Sequence, residues 1–254
     1  MQISYEILGA ILFLIYVTSM FLIAHIKKDI SIGNFTWGGG VMLLTLYSFI
    51  INPFSLYHVL ATALICTWGG RLALYVYLRY KKGADPRYVT WQDRQGCWYL
   101  PFALTWIYIL NGGFSLVMSL PSLFINYSTS IHNNLCIIIG FLIWICGFLC
   151  ESIADYQLSS FIKTAANKGK IMQFGLWHYS RHPNYFGEIV MWWGMYCMAL
   201  AVPYGWLSIA APIAITTTLL FVTGIPNNEK TMATNPEYQE YKKRTSMLIP
   251  WWPK

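Results

Sequence analysis

The sequence predicts an all-α, polytopic membrane protein of about seven transmembrane helices, with the N-terminus outside and the C-terminus in the cytosol. Three observations predict it. The chain is 56% hydrophobic and only 11% charged, against about 25% charged in an ordinary soluble domain. Aromatics make up 17%, with 12 Trp and 18 Tyr, as suits rings that sit at bilayer interfaces. Of the 17 Lys and Arg all but Arg71, which lies within a span, fall in alternate connections, which is the pattern of the positive-inside rule.

A hydrocarbon core about 30 Å thick takes roughly 20 apolar residues per helical span. By that measure the spans lie at 5–25, 37–51, 55–78, 98–120, 135–150, 186–202 and 204–223. The second and fifth are short, and the fifth is expected to continue as a helix beyond the membrane. Lys27 and Lys28 follow the first span, and Arg79, Lys81, Lys82, Arg87 and Arg94 follow the third. Lys163, Lys168, Lys170 and Arg181 follow the fifth, and Lys230, Lys242, Lys243, Arg244 and Lys254 follow the seventh. Segments 52–54, 121–134 and 202–204 carry neither Lys nor Arg. The net charge of +7 therefore orients the chain in a lipid bilayer, its first partner. It does not mark a nucleic-acid surface, because the charges lie in short loops between spans. No oligomeric state is specified.

The N-terminus lacks a basic n-region, so a cleaved signal peptide is not expected. The cysteines sit in or beside apolar helices, where they pack as small hydrophobes. The sequence has no CxxC, HExxH or soluble-type phosphate loop, and a metal is not expected. Gly38, Gly39 and Gly40 suit close helix packing. With no linker or repeat, residues 1–254 are read as a single membrane domain. Its purposeful polar residues gather in 68–94, 151–188 and 224–250, all on the expected cytosolic side. Such a site collects a soluble, anionic partner.

Four constellations stand out. In Trp68-Gly-Gly-Arg71-Leu-Ala-Leu-Tyr75-Val-Tyr-Leu-Arg79, Arg71, Tyr75 and Arg79 are spaced to share one helix face. Arg71 lies about 12 Å deeper than Arg79 at 1.5 Å per residue, and an arginine at that depth marks a functional site unless it is paired structurally. Glu151, Asp155, Ser159 and Lys163 repeat every four residues, forming either a ligand-binding stripe or a plain solvated face. The third is Gly175-Leu-Trp-His-Tyr-Ser-Arg181-His182-Pro183-Asn184-Tyr185-Phe-Gly187-Glu188. Pro183 fits the first position of a helix, whose positive end beside Arg181 and His182 suits an anion. Asn184 and Glu188 lie one turn apart on one face. The last runs from Asn227-Asn228-Glu229-Lys230 through Pro236–Arg244 to Leu248-Ile-Pro-Trp251-Trp252. It reads as a surface amphipathic helix whose tail is re-anchored by tryptophans. Glu229 and Lys230 are within reach of the site.

These residues carry a resemblance. The block GKxxxxGLWxYSRHPNYFGE from Gly169 to Glu188, WGxRLxxYxxxR at 68–79, Asp85-Pro86-Arg87-Tyr88 and the ending YxxYxxxxxxLIPW resemble the steroid 5α-reductase-like superfamily of membrane reductases. The likeness runs from about residue 27 to 252. It implies a cytosol-facing cavity for NADPH, with the cofactor-binding part at about 135–254, and reduction of a carbon–carbon double bond in a lipophilic, steroid-like enone. It implies cofactor contacts at Arg71, Tyr75, Asp155, Lys170, Asn184 and Glu188, and the four constellations add Arg79, Lys163, Arg181, His182, Tyr185, Glu229 and Lys230. Asp155 matches an aspartate near the adenosine ribose, and Asn184 and Glu188 match the pair at the nicotinamide end. The steroid enzymes use a Glu on the second span and a Tyr on the third to polarise the enone. Here Thr36 to Ile51 holds no acid, and Trp68 stands at the tyrosine position. Tyr47, Tyr57, His58 and Tyr75 remain alternative proton donors.

An S-adenosylmethionine-dependent methyltransferase of the isoprenylcysteine carboxyl type is the alternative. It shares an Arg-His-Pro-x-Tyr element but ends in a paired Glu-Glu, where this chain has Glu229-Lys230. A transporter or scaffold is a third reading, disfavoured by the near absence of charge on the outer side and of an inverted repeat.

Overall fold

The computed structural model describes residues 4–27, 29–52, 55–80 and 96–253. Those residues form helices and no strand ladder: α1 Tyr5–Lys27, α2 Gly33–Ile51, α3 Leu56–Tyr80, α4 Tyr99–Tyr127, α5 Asn134–Lys163, the single turn α6 Leu176–Tyr179, α7 Pro183–Ala199, α8 Ala210–Thr217, α9 Ile225–Met232 and α10 Pro236–Arg244. The chain is an integral, multi-pass membrane protein. Among the described residues five stretches are long and apolar enough to cross a bilayer: α1, α3 over Leu56–Leu78, α4, α5 and the run Gly205–Met232. The other two expected spans are shorter helices, with the apolar part of α2 at Phe35–Ile51 and α7 at 17 residues. At 1.5 Å per residue α7 covers only about 26 Å. The expected extension of the fifth span is real, for α5 runs 30 residues to Lys163.

The described chain divides into two compact units, one of residues 1–132 and 202–211, the other of 133–201 and 212–254. In the first unit, small residues let α2 approach its neighbours. A Cβ on Gly38 would stand 2.8 Å from Leu72 Cδ2, and one on Gly40 2.7 Å from Ser115 Oγ, so the glycine triplet does serve packing. Trp37 and Trp68 close the α2–α3 contact with ring centroids 5.1 Å apart. Deeper along α2, buried hydroxyls replace apolar contacts. Thr45 and Ser122 hydroxyls meet at 2.7 Å, and the Asn126 amide donates to Thr45 O at 3.1 Å and Ser48 Oγ at 3.0 Å. With no water in a hydrocarbon core, such groups must satisfy one another. In α4, Thr105–Gly112 widens into a π-helical stretch, where the Asn111 side chain donates to the Trp106 carbonyl at 2.6 Å.

The second unit is built on α5 and α7. Gly140 and Gly147 of α5 face Gly194 and Gly187 of α7, and a Cβ on Gly147 would lie 2.6 Å from the Gly187 carbonyl oxygen. Backbone therefore meets backbone, the closest packing two membrane helices achieve. α5 begins at an Asn133 cap, whose side chain accepts from Leu135 N at 3.0 Å. α7 begins with Pro183 at its first position, as the sequence predicts.

Candidate functional site

The geometry that the second unit gives to the Gly175–Glu188 block starts with its entry turn. Gly175 has φ +61, a conformation that favours glycine. A side chain there would also strike Gln157, whose Oε1 accepts from Leu176 N at 3.0 Å. Trp177 is buried, and its indole N–H donates to Ala154 O at 3.0 Å. These contacts fix the block against the C-terminal half of α5.

The C-terminal tail then straps the block from the other side. Arg181 N donates to Ser246 O at 2.8 Å, Trp251 N to Tyr179 O at 3.0 Å, and Ser180 Oγ to Leu248 O at 2.7 Å. The Tyr241 hydroxyl donates to the carbonyls of Trp177 and Ser180, and burial pushes this phenol well above the ordinary tyrosine range. α10 is the surface helix expected from its sequence, capped by Asn235. Tyr179 and Trp252 pack edge to face at 5.2 Å. Glu237 is not merely solvated, because it accepts from Ile171 N at 3.3 Å and from the Gln173 amide at 2.9 Å.

Arg181 and Glu229 form the hub. Arg181 is buried, and both its Nε and Nη2 reach Glu229 Oε1, at 3.1 and 2.6 Å. Its Nη1 caps the end of α10 through Lys242 O at 3.2 Å and Thr245 O at 2.7 Å. The second Glu229 oxygen accepts from Lys242 Nζ at 2.6 Å. A charge-assisted network of this kind rigidifies what it touches. His182 is 4% exposed and stacks on Tyr185 at 5.5 Å. Its Nε2 stands 3.7 Å from Glu229 Oε1, beyond hydrogen-bond reach. Burial pushes its pKa down to about 4, although Glu229 pulls the other way. The Tyr185 hydroxyl accepts from the Asn228 amide at 2.8 Å.

Along the α5–α7 face the candidate residues converge. The Asn184 amide donates to Asp155 Oδ1 at 3.2 Å. Glu151 is buried at 5% exposure, one turn before Asp155, while Glu188 is half-buried one turn beyond Asn184. The four-residue repeat on α5 is thus no plain solvated face, and only its end, Lys163, is exposed. Lys170 and Lys230 are exposed as well.

The first unit holds the other candidates. Arg71 is half-buried on α3, with Tyr75, 43% exposed, one turn on. The Arg79 side chain lies outside the described residues, as do Lys28, Lys81, Lys82, Asp85-Pro86-Arg87-Tyr88 and Arg94. The four alternative proton donors are not brought together. Tyr47 donates its hydroxyl to Tyr5 O at 2.6 Å, and buried His58 has Nε2 3.1 Å from Ser128 O. His58 and Tyr75 lie about 26 Å apart along α3 at 1.5 Å per residue, with half-buried Tyr57 beside the former. Sequence reasoning missed the four facing glycines and the hub partner Lys242. A seven-residue spacing, Gly140 to Gly147 and Gly187 to Gly194, was the available signal for the glycines.

The family model described as "Protein of unknown function (DUF1295)" matches residues 20–245. The chain belongs to that family. It is similar to 3-oxo-5-alpha-steroid 4-dehydrogenase 1 of Rattus norvegicus, 28% identical over 129 residues, which is 51% of this chain and 47% of the relative. The Mus musculus counterpart is 27% identical over 149 residues, covering 59% and 55%. Methanethiol S-methyltransferase 1 of Bradyrhizobium diazoefficiens is 41% identical over 78 residues, covering 30% of this chain and 25% of that one. This DUF1295 member thus spans about half the length of the dehydrogenases it matches, and no solved structure matches it. The resemblance to the steroid 5α-reductase-like superfamily holds at the level of family.

Proposed function

We propose that this protein is a membrane-embedded oxidoreductase that uses NADPH to reduce a carbon–carbon double bond of a lipophilic, steroid-like enone. The contact between Asp155 and Asn184 carries the reading. An ionised carboxylate only accepts hydrogen bonds, so Asn184 must turn its amide nitrogen to Asp155. Its carbonyl oxygen is left to face a ligand. Glu188 lies one turn further on the same face, where the resemblance places the nicotinamide end. An amide acceptor suits a ligand N–H donor, such as the carboxamide of a nicotinamide ring.

In this reading Asp155 orients Asn184, and exposed Lys163 and Lys170 neutralise phosphate charge. Arg181, Glu229 and His182 serve as the scaffold that holds the block. The bound cofactor supplies the hydride. By the resemblance Arg71 and Tyr75 of α3 are further cofactor contacts, and Tyr57 and Tyr75 are the remaining candidates for proton donor. The Tyr47 hydroxyl is spent on a backbone carbonyl, and His58 already faces another.

Calorimetric titration of the purified protein tests this. Wild type should bind NADPH, and Asn184→Ala, Glu188→Ala or Arg71→Ala should each weaken binding about tenfold or more, near 1.4 kcal/mol. Asp155→Asn should weaken it without unfolding the protein. A methyltransferase is the second reading, favoured by the 41% identity to the methanethiol enzyme. Binding of S-adenosylmethionine in preference to NADPH would reverse the order.

A further inference from the structure

The first unit contains a cavity lined entirely by its own residues. It measures about 410 Å³ and lies between α1, α2 and α3, within the size range of small-molecule sites. Met20 and Ile23 of α1 and Leu72 and Ala73 of α3 form apolar walls, and Lys27 stands among the lining residues. Lys27 sits in the last turn of α1. Positions 71 and 73 differ by two residues, about 200° around a helix. Ala73 therefore faces away from Arg71 and Tyr75, and α3 presents two separate faces.

An apolar cavity offers water too few polar partners to hold it. Within a bilayer the fitting occupant is hydrocarbon. Charge selects what the hydrocarbon is attached to. Lys27 is followed by Lys28, and α3, which forms the opposite wall, leads into Arg79, Lys81 and Lys82 in the sequence. By the positive-inside rule the sequence assigns the Lys27 end of α1 to the cytosolic leaflet, where basic groups attract anionic headgroups.

We infer that this cavity is a lipid site that seats one acyl chain of an anionic glycerophospholipid, with its phosphate at Lys27. The site is independent of the NADPH reading. It couples the first unit to the composition of the cytosolic leaflet.

The test is native mass spectrometry of the full chain released from bilayers of equal phosphatidylglycerol and phosphatidylcholine. Wild type should retain phosphatidylglycerol at least fivefold over phosphatidylcholine. Lys27→Gln should abolish that preference while still retaining lipid. Ala73→Phe, a change at an exposed position that fills the cavity, should remove retained lipid of both kinds. An unchanged thermal transition serves as its folding control. If Ala73→Phe unfolds the chain, Ala73→Leu takes its place. Equal retention of both lipids by wild type would overturn the inference, as would lipid that survives filling of the cavity in a folded variant. NADPH titration of the same variants separates the two proposals, because Lys27→Gln and Ala73→Phe should leave that affinity unchanged.

Discussion

The two units are glued differently, although both are made of apolar helices. In the first, glycines meet side chains: Gly38 faces Leu72, Gly40 faces Ser115 and Gly69 faces Met42. In the second, the glycines that pair α5 with α7 meet backbone: Gly140 faces Met198 N, Gly147 faces Met191 N and Gly187 faces Glu151 N. Side-chain ends give way when crowded, whereas a helix backbone cannot move without its whole length. The first unit leaves room for cavities along α1, one of about 410 Å³ and another of about 510 Å³. The second carries the polar cluster that needs fixed positions. Precision at a site comes from rigid elements beneath it, and the difference in packing matches that division.

The sharpest way to break this comparison is to add bulk on each side. Gly147→Leu should prevent α5 and α7 from meeting and cost more than about 3 kcal/mol, beyond the usual range for overpacking. The measurable result is loss of a monodisperse protein in detergent. Gly38→Leu should cost less, because Leu72 changes rotamer to admit it. Equal losses at both positions would show that the contrast between backbone and side-chain contacts has no energetic meaning.

A second effect, somewhat smaller, concerns the strap. Arg181→Ala leaves Glu229, whose side chain is 16% exposed, with Lys242 as its remaining close cation and strips the end of α10 of its cap. Removing one member of a largely buried pair costs about 3 kcal/mol or more. Residues 246–252 should then become sensitive to protease while the first unit keeps its resistance. A tail that stays protected would mean that Ser180, Tyr179 and Tyr241 hold it without the hub.

Much of the fold was legible because it is written in local pattern. Apolar runs marked the helices, Pro183 marked the start of α7, and the glycine triplet marked close packing in α2. The α5 repeat from Glu151 to Lys163 fitted a helix that continues, but it did not show that Glu151 is buried or that Asp155 meets Asn184. Those facts depend on the register between two helices, which no single helix encodes. The hub was half legible. Arg181 and Glu229 stood out as charged residues, yet their pairing requires the tail to return across the block. Nothing local announces that return. Arg181 stood out as a ligand contact, and its bonds to Glu229 and to the end of α10 could not be read from its neighbours in sequence. The Thr45–Ser122–Asn126 cluster was invisible for a related reason, since hydroxyl residues in apolar helices are common and only packing reveals which ones meet.

The smallest expected effect is a pH dependence confined to the second unit. His182 is buried with Arg181 and Glu229 as its charged neighbours, and burial lowers its pKa from 6.5 to about 4. The unfolded chain therefore binds a proton between about pH 6.5 and 4 that the folded chain refuses. Stability from this group is complete above pH 6.5 and falls as the pH drops through that window. At 1.36 kcal/mol per pKa unit the loss between pH 7 and 5 is about 2 kcal/mol. Hydrogen exchange of Trp177–His182 should accelerate over that interval, and His182→Gln should flatten the response. The contacts of Thr45, Ser48, Ser122 and Asn126 in the first unit are made by hydroxyl, amide and backbone groups. Exchange in α2 and α4 around Thr45 and Ser122 should accordingly stay level. A slope of the same size in both units would assign the effect to the detergent or to the whole chain, and the distinction between a packed scaffold and a polar, pH-sensitive clamp would fall with it.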